Sequence, residues 1–272
     1  MNKENKRVYK LQFKKKKSNF KGFFQEYTNN ISYHQSPVEG FRTRIEFGLT
    51  ALNNQEEFYM IRNSSKIPIS QLSICDPKIN ILMARLIDLI RKKQILGHSL
   101  FQVEFMVNRE NQSLITLVYH KKLDTCWIEM ASKLSKNLQA SIVGRSKNQK
   151  VVIGKDFVEE TYTYNDKKYS INLFDQCFCQ PNPYVCEKIL MWIGENIDKK
   201  DDVLELHCGV GTFTIFLSKK FNKVLSTENS RPSIKALNQN IQMNRCSNVI
   251  SARLSEKETL EALAGKRKFN RL

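Results

Sequence analysis

The chain has no run of 18 apolar residues, and its first 25 residues hold no apolar core, so neither a membrane-spanning helix nor a secretory leader is expected. It lacks any repeated Cys-x-x-Cys. Seven cysteines stand scattered at positions 75, 126, 177, 179, 186, 208 and 246, a pattern that excludes a secreted disulfide framework and a zinc finger. A reducing, cytoplasmic setting without a metal cluster or membrane partner is the expectation. Internal repeats and low-complexity linkers are also missing. Acidic residues are scarce: 27 Asp and Glu face 44 Lys and Arg, a formal charge of +17 that implies acidic partners.

The excess is localised. Up to residue 170 the chain carries 29 basic and 16 acidic residues (+13), and beyond it 15 and 11 (+4). The opening segment to Phe24 alone has nine basic residues and one acidic, including the tract Lys14 to Lys17, and reads as a solvated arm that attracts polyanions.

With 41% apolar side chains in 272 residues, one large core or two moderate ones are expected. Residues 42 to 62 alternate as a hairpin around Asn53-Asn54-Gln55. Asp76-Pro77 starts a helix whose buried face is Ile79, Leu82, Met83, Leu86 and Ile90. Phe101, Val103, Phe105 and Val107 alternate as a strand, Arg109 to Gln112 turn, and Leu114 to Tyr119 return. A helix follows over Trp127 to Leu138. Short strands at 142–145, 151–153 and 162–171, the last bent at Asn165-Asp166, complete an antiparallel α+β region.

After Gln180-Pro181-Asn182-Pro183 strands and helices alternate, which predicts a parallel sheet with crossover helices. The pattern divides near residue 172, giving an α+β domain over 1–171 and an α/β, Rossmann-like domain over 172–272. Strands are expected at about 203–207, 223–227 and 248–252.

The sharpest motif is Leu204-Glu205-Leu206-His207-Cys208-Gly209-Val210-Gly211-Thr212, a strand running into two glycines. Glycine permits a tight turn and close approach of a ligand, and Glu228, at the end of the next strand, can accept both hydroxyl hydrogens of a ribose. Thr214 stands where a dinucleotide site wants a third glycine, so nicotinamide is the poorer guess. Glu205 is costly to bury unless paired, and an acid before Gly-x-Gly is similar to class I S-adenosylmethionine methyltransferases, whose cofactor carries an ammonium and a sulfonium.

Several segments together resemble one family, the bacterial tRNA (uracil-5-)-methyltransferases, which methylate C5 of the T-loop uridine. They are Ser36-Pro37-Val38, Phe41-Arg42, Arg44-Ile45-Glu46-Phe47, Leu100-Phe101-Gln102, Tyr119-His120-Lys121-Lys122-Leu123-Asp124 with Trp127, Ile142-Val143-Gly144-Arg145, Phe178-Cys179-Gln180-Pro181-Asn182, the glycine loop, and Phe269-Asn270-Arg271-Leu272. The resemblance implies an S-adenosyl-L-methionine cofactor touched by Gln180, Gly209, Gly211 and Glu228, and tRNA, or a tRNA-like RNA, gripped at its T-arm. His207 and Thr212 stand where the family has Tyr and Asn, so their contacts differ in kind. Phe101 aligns with an aromatic wedge in the T-loop; periodicity alone assigns it to the core. Arg42, Arg44, Lys121, Lys122, Arg145 and Lys147 are the basic residues set against phosphates.

C5 of uracil is a poor nucleophile. A thiolate must add at C6 and a base must later take the C5 proton. The family's Ser-Cys-Asn-Pro-like cysteine and late glutamate have no counterpart here, and a seven-strand sheet needs roughly 90 further residues at βαβ spacing. The expectation is therefore a C-terminally truncated member with no catalytic residues, an incomplete methyltransferase sheet, and half a donor pocket. Two alternatives stay open: an amino-methylating enzyme reading through Asn182-Pro183-Tyr184, and a non-catalytic RNA-binding or RNA-folding protein derived from such an enzyme.

Overall fold

The structure is a computed structural model describing residues 3–52, 55–92, 94–197 and 201–265. The Asn53-Asn54 turn and the Phe269 to Leu272 motif lie outside the described residues.

Where a solvated arm was expected, a 22-residue helix forms, α1 (Lys3–Phe24), with no fully buried residue. The hairpin follows as β1 (Arg44–Leu52) and β2 (Gln55–Arg62), paired Leu49 to Phe58. An unanticipated β3 (Ser65–Pro68) adds to it through Asn63 and Ser64, both at positive φ (48° and 61°). All four of its residues are exposed, so no alternation marked it. Helix α2 (Pro77–Lys92) buries the five apolar residues expected of it, and α3 (Gln94–Gly97) extends it. Then come β4 (Leu100–Val107), β5 (Ser113–Tyr119), α4 (Thr125–Leu138), β6 (Ser141–Ser146) and β7 (Gln149–Ile153).

These strands make one sheet in the order β3-β2-β1-β4-β5-β6-β7, antiparallel except where α4 crosses from β5 to a parallel β6. One face packs on α2 and α4 around Phe47, Phe58 and Phe105, whose ring centroids lie 5.8 to 6.2 Å apart. From the other face Met106, Leu114 and Val143 enter a second core. Burial on both faces explains why β5 is apolar almost throughout instead of alternating.

The single bent strand expected over 162–171 is a hairpin, β8 (Phe157–Tyr164) and β9 (Lys167–Phe174). Asn165 and Asp166, both at positive φ (46° and 60°), form a two-residue turn of the kind that joins twisted antiparallel strands. Residue 172 falls within β9, and the hairpin supplies Tyr162 and Ile171 to the second core. The rest of that core is α/β: α5 (Pro183–Glu195), β10 (Val203–Leu206), α6 (Thr212–Leu217), β11 (Val224–Glu228), α7 (Arg231–Met243), β12 (Val249–Arg253) and α8 (Glu256–Leu263). The sheet β10-β11-β12 is parallel, as the alternation required.

Candidate donor loop and RNA-facing edge

Parallel pairing of β10 with β11 brings the glycine loop to the tip of β11. The Cys208 amide donates to the Thr227 carbonyl (3.1 Å), which extends the ladder one residue, and the chain then turns through His207, Gly209 and Gly211 at φ of 55°, 58° and 89°. Glu228 faces this turn. Its Oε2 accepts the Gly209 amide at 3.1 Å and its Oε1 the Ser230 amide at 2.7 Å, leaving acceptor capacity on both oxygens for hydroxyls.

The two glycines answer to different constraints. A Cβ on Gly209 would meet nothing within 4 Å, so this position borders open space. A Cβ on Gly211 would lie 2.4 Å from Cδ1 of the fully buried Leu237, so Gly211 lets α6 and α7 close on each other. Thr212 is buried as the first residue of α6, whereas the His207 ring is exposed, with Nε2 3.9 Å from Glu256 Oε2.

Glu205 corrects its expectation. Its Oε2 accepts the hydroxyls of Thr214 (2.5 Å) and Ser226 (3.0 Å), beneath the loop and between α6 and β11. The residue where a third glycine was sought thus supplies one of the two hydroxyls that pair Glu205 Oε2. Burial raises the Glu205 carboxyl to about 7, partly opposed by the two hydroxyls.

Gln180 sits on a segment pinned from below. The Arg44 guanidinium makes a paired contact with Glu104 (Nε and NH2, 3.0 Å each) and reaches the Asp175 carbonyl at 2.8 Å, the Cys177 carbonyl and Cys179 Sγ. Asp175, with a fully buried side chain, takes Arg145 at 2.7 Å and Lys150 at 2.9 Å. Thr43 donates its amide to the Pro181 carbonyl (2.9 Å). Arg44, paired at every turn, is therefore consumed inside the protein and is not presented to phosphates, whereas Arg145 pairs with Asp175 and keeps 26% of its side chain exposed. A buried guanidinium must be paired, and the fold brings the carbonyls and the carboxylate that pair Arg44 to it from distant parts of the chain. The Gln180 side chain itself makes no hydrogen bond among the described residues. Asn182 caps α5 through Val185 (3.1 Å) and donates to Ser36 Oγ (2.7 Å), so both ends of its amide are tied to structural partners, which argues against the amine-holding role.

Phe101 leaves the core face on which alternation had placed it. A β-bulge between Leu100 and Gln102 shifts the register of β4 against β5, so Leu100, Val103, Phe105 and Val107 are buried and Phe101 is half-exposed. Its ring stacks on exposed His120, with centroids 3.9 Å apart and planes 11° apart. Lys121, whose ammonium lies 5.9 Å from the Tyr119 ring centre, and exposed Lys122 continue the same edge. Lys147 is exposed on the β6–β7 turn, and Arg42 is half-buried, its backbone bridged to Cys75. Sequence reasoning missed His120 as the partner of Phe101 and Asp175 as the anchor of the Gln180 segment. Only an acid closing an apolar strand marked the latter.

A parallel βαβαβ unit with a Gly-x-Gly turn and an acid at the second strand's tip defines a class I methyltransferase fold, here joined to an antiparallel α+β region. Residues 8–272 match the family described as tRNA (Uracil-5-)-methyltransferase, and the chain belongs to that family. It is 39% identical over 262 residues to the tRNA/tmRNA (uracil-C(5))-methyltransferase of Saccharophagus degradans, covering 94% of this chain and 71% of that protein. The corresponding protein of Cellvibrio japonicus is 40% identical over 245 residues, covering 89% and 67%. Among solved structures, the Pyrococcus abyssi tRNA (uracil-54, C5)-methyltransferase in complex with S-adenosyl-L-homocysteine superimposes with a TM-score of 0.68 at 17% identity, over 90% of this chain and 63% of that one. That likeness supports the fold. Among the described residues no cluster of three metal-ligating side chains occurs, and no helix is long and apolar enough to cross a membrane.

Proposed function

We propose that this chain takes S-adenosylmethionine at the loop 207–212 and a tRNA T-arm along the Phe101 edge, in the service of methylation at uracil C5. The division of labour falls near residue 172, in a reducing cytoplasmic setting that suits seven free cysteines. The observation that carries the donor half is Glu228, bonded to the Gly209 amide beside an open face. When bound, the donor supplies an electrophilic methyl on sulfonium. Glu228 would hold its ribose, and Gly209 would let it approach the backbone. Gln180 and His207 are the further side chains assigned to the donor by this reading. Phe101 and His120 offer stacking faces for splayed bases, and Lys121, Lys122, Lys147 and Arg42 offer charge to phosphates.

Addition at C6 requires a thiolate. Burial pushes the Cys208 and Cys186 thiols up to about 12 and Cys75 to about 11, and raises Cys177 and Cys179 as well, so all five are protonated at neutral pH. None of them is assigned the addition step.

Titration of the chain with S-adenosylmethionine and, separately, with an unmodified tRNA transcript tests the proposal. Glu228→Ala should weaken donor binding at least tenfold and leave RNA binding intact; Phe101→Ala should do the reverse. Equal loss of both ligands in either variant, or RNA binding with no donor affinity in the parent chain, defeats it. The latter outcome favours the RNA-binding alternative.

A further inference from the structure

Helix α1, read from its sequence only as a polyanion-attracting arm, carries none of the named site residues. Its docked side is narrow: Asn5, Tyr9 and Phe13, one turn apart, are its half-buried positions. Asn5 donates to Glu39 Oε1 at 2.7 Å, and the Ser36 amide donates to the Tyr9 hydroxyl at 2.9 Å. This side, with Val8 and Phe20, closes over a cleft of about 750 Å³ whose far wall includes Val38 and Phe41. Only Tyr9 and Phe13 among its apolar and aromatic side chains are half-buried there; Val8, Leu11, Phe20, Phe23 and Phe24 stay exposed.

The other side is a line of cations. Lys3, Arg7, Lys10, Lys14, Lys17 and Lys21 recur in steps of four and three, a 3.5-residue period centred about a third of a turn from the docked side. Lys17, at the edge nearest that side, lines the cleft with its ammonium 4.8 Å from the Tyr33 ring centre, so five of the six are left for a partner. The stripe is about 27 Å long, with one charge roughly every 5 Å. None of the six forms an ion pair among the described residues. Consecutive members are like-charged neighbours at i,i+3 or i,i+4, which repel one another and disfavour the helix. A partner with regularly spaced negative charge removes that repulsion. Phosphates recur along a polynucleotide strand at a comparable interval.

We propose that this stripe is a second RNA-binding surface, lying along the phosphate backbone of the tRNA whose T-arm meets the Phe101 edge. The proposal rests on the RNA reading above and extends it to a helix that carries none of the site residues. RNA is favoured over a lipid surface because the cations run in single file, as the phosphates of one strand do, and because the same polyanion is proposed to meet the Phe101 edge. The exposed Val8, Leu11, Phe20, Phe23 and Phe24 are scattered around the helix and along its C-terminal end, so a lipid surface is the competing outcome that the test separates.

The test uses the full chain with Lys3, Arg7, Lys10, Lys14 and Lys21 changed to Gln, which keeps helix propensity nearly constant. A control variant carries Gln at exposed Lys92, Lys133, Lys136, Lys167 and Lys168, an identical change in net charge. Affinity for an unmodified tRNA transcript is measured against KCl concentration, with circular dichroism confirming that α1 remains helical. The stripe variant should lose about 3.5 to 4.5 units from the slope of log K against log salt, at roughly 0.7 to 0.9 per phosphate contact for five lost cations, and the control about one or less. Equal losses in the two variants overturn the stripe and leave the RNA reading standing. Absence of tRNA binding by the parent chain overturns the reading itself. Loss of binding to phosphatidylserine vesicles with an unchanged tRNA slope assigns the helix to a membrane and also overturns the proposal.

Discussion

Glu205 shows how one buried side chain can report on the loop above it. The carboxyl is raised to about 7 from a usual 4.5, first because burial penalises the charge and only then because two hydroxyls partly compensate. A folded-state value above the unfolded one means that the folded protein binds this proton more tightly. The contribution is therefore complete below about 4.5 and disappears as pH rises through 7, at a cost of about 3 kcal/mol. Glu205→Gln should abolish that slope and melt higher than the parent at pH 8, with little difference at pH 4.5, if thermal unfolding is followed across the range. A parent protein that gains stability between pH 5 and 8 relative to the variant would mean that the carboxylate is better stabilised when charged than its surroundings suggest.

At the scale of the element, β4 is the instructive strand. By alternation Phe101 and Phe105 belong to one face, yet the bulge at Leu100/Gln102 leaves Phe105 fully buried and Phe101 on the surface against His120. Phe105→Ala should cost about 3 to 5 kcal/mol in chemical denaturation, as expected for a core aromatic. Phe101→Ala should cost about 1 kcal/mol or less, because it gives up a partly solvated stack. Similar losses at both positions would return Phe101 to the core. The same strand marks the limit of legibility. Elements with regular periods, such as α2 with its five buried positions and the parallel β10-β11-β12 with its loop, were readable because burial on one face or two leaves an unambiguous pattern. A bulge inserts one residue without altering composition, and the exposed β3 carries no burial pattern at all. The pairing of Arg44 and Arg145 depends on carbonyls and an Asp more than 25 residues away, which no local window contains. Helix α1 was hidden for a related reason: its cations suggested solvent, and the three residues that dock it are too few to set a strong period.

For the molecule as a whole, the question is whether the two cores open separately. Cys75 belongs to the core between the large sheet and α2, whereas Cys177, Cys179, Cys186 and Cys246 belong to the second, and Cys208 is buried in the glycine loop next to Val210 of that core. Met106, Leu114 and Val143 carry the large sheet into that second core, and Arg44 and Thr43 tie β1 to the segment 175–181. Bridges of this kind mean that exposing one core strips partners from the other, which favours a single cooperative unit. Six of the seven cysteines are buried and Cys126 is exposed, so a thiol reagent should label Cys126 at once and the others only on opening. In low denaturant, Cys75 and Cys208 should then react at rates within a few-fold of each other. Arg44→Met leaves Glu104 buried without its partner, a loss of about 3 to 5 kcal/mol, and releases the Asp175 and Cys177 carbonyls. In that variant Cys177 and Cys179 should react well ahead of Cys75, because the tie between β1 and the Gln180 segment is cut. If Cys208 already reacts orders of magnitude faster than Cys75 in the parent chain, the donor-loop half opens independently of the large sheet, and donor affinity would be set by that local opening instead of by the stability of the whole.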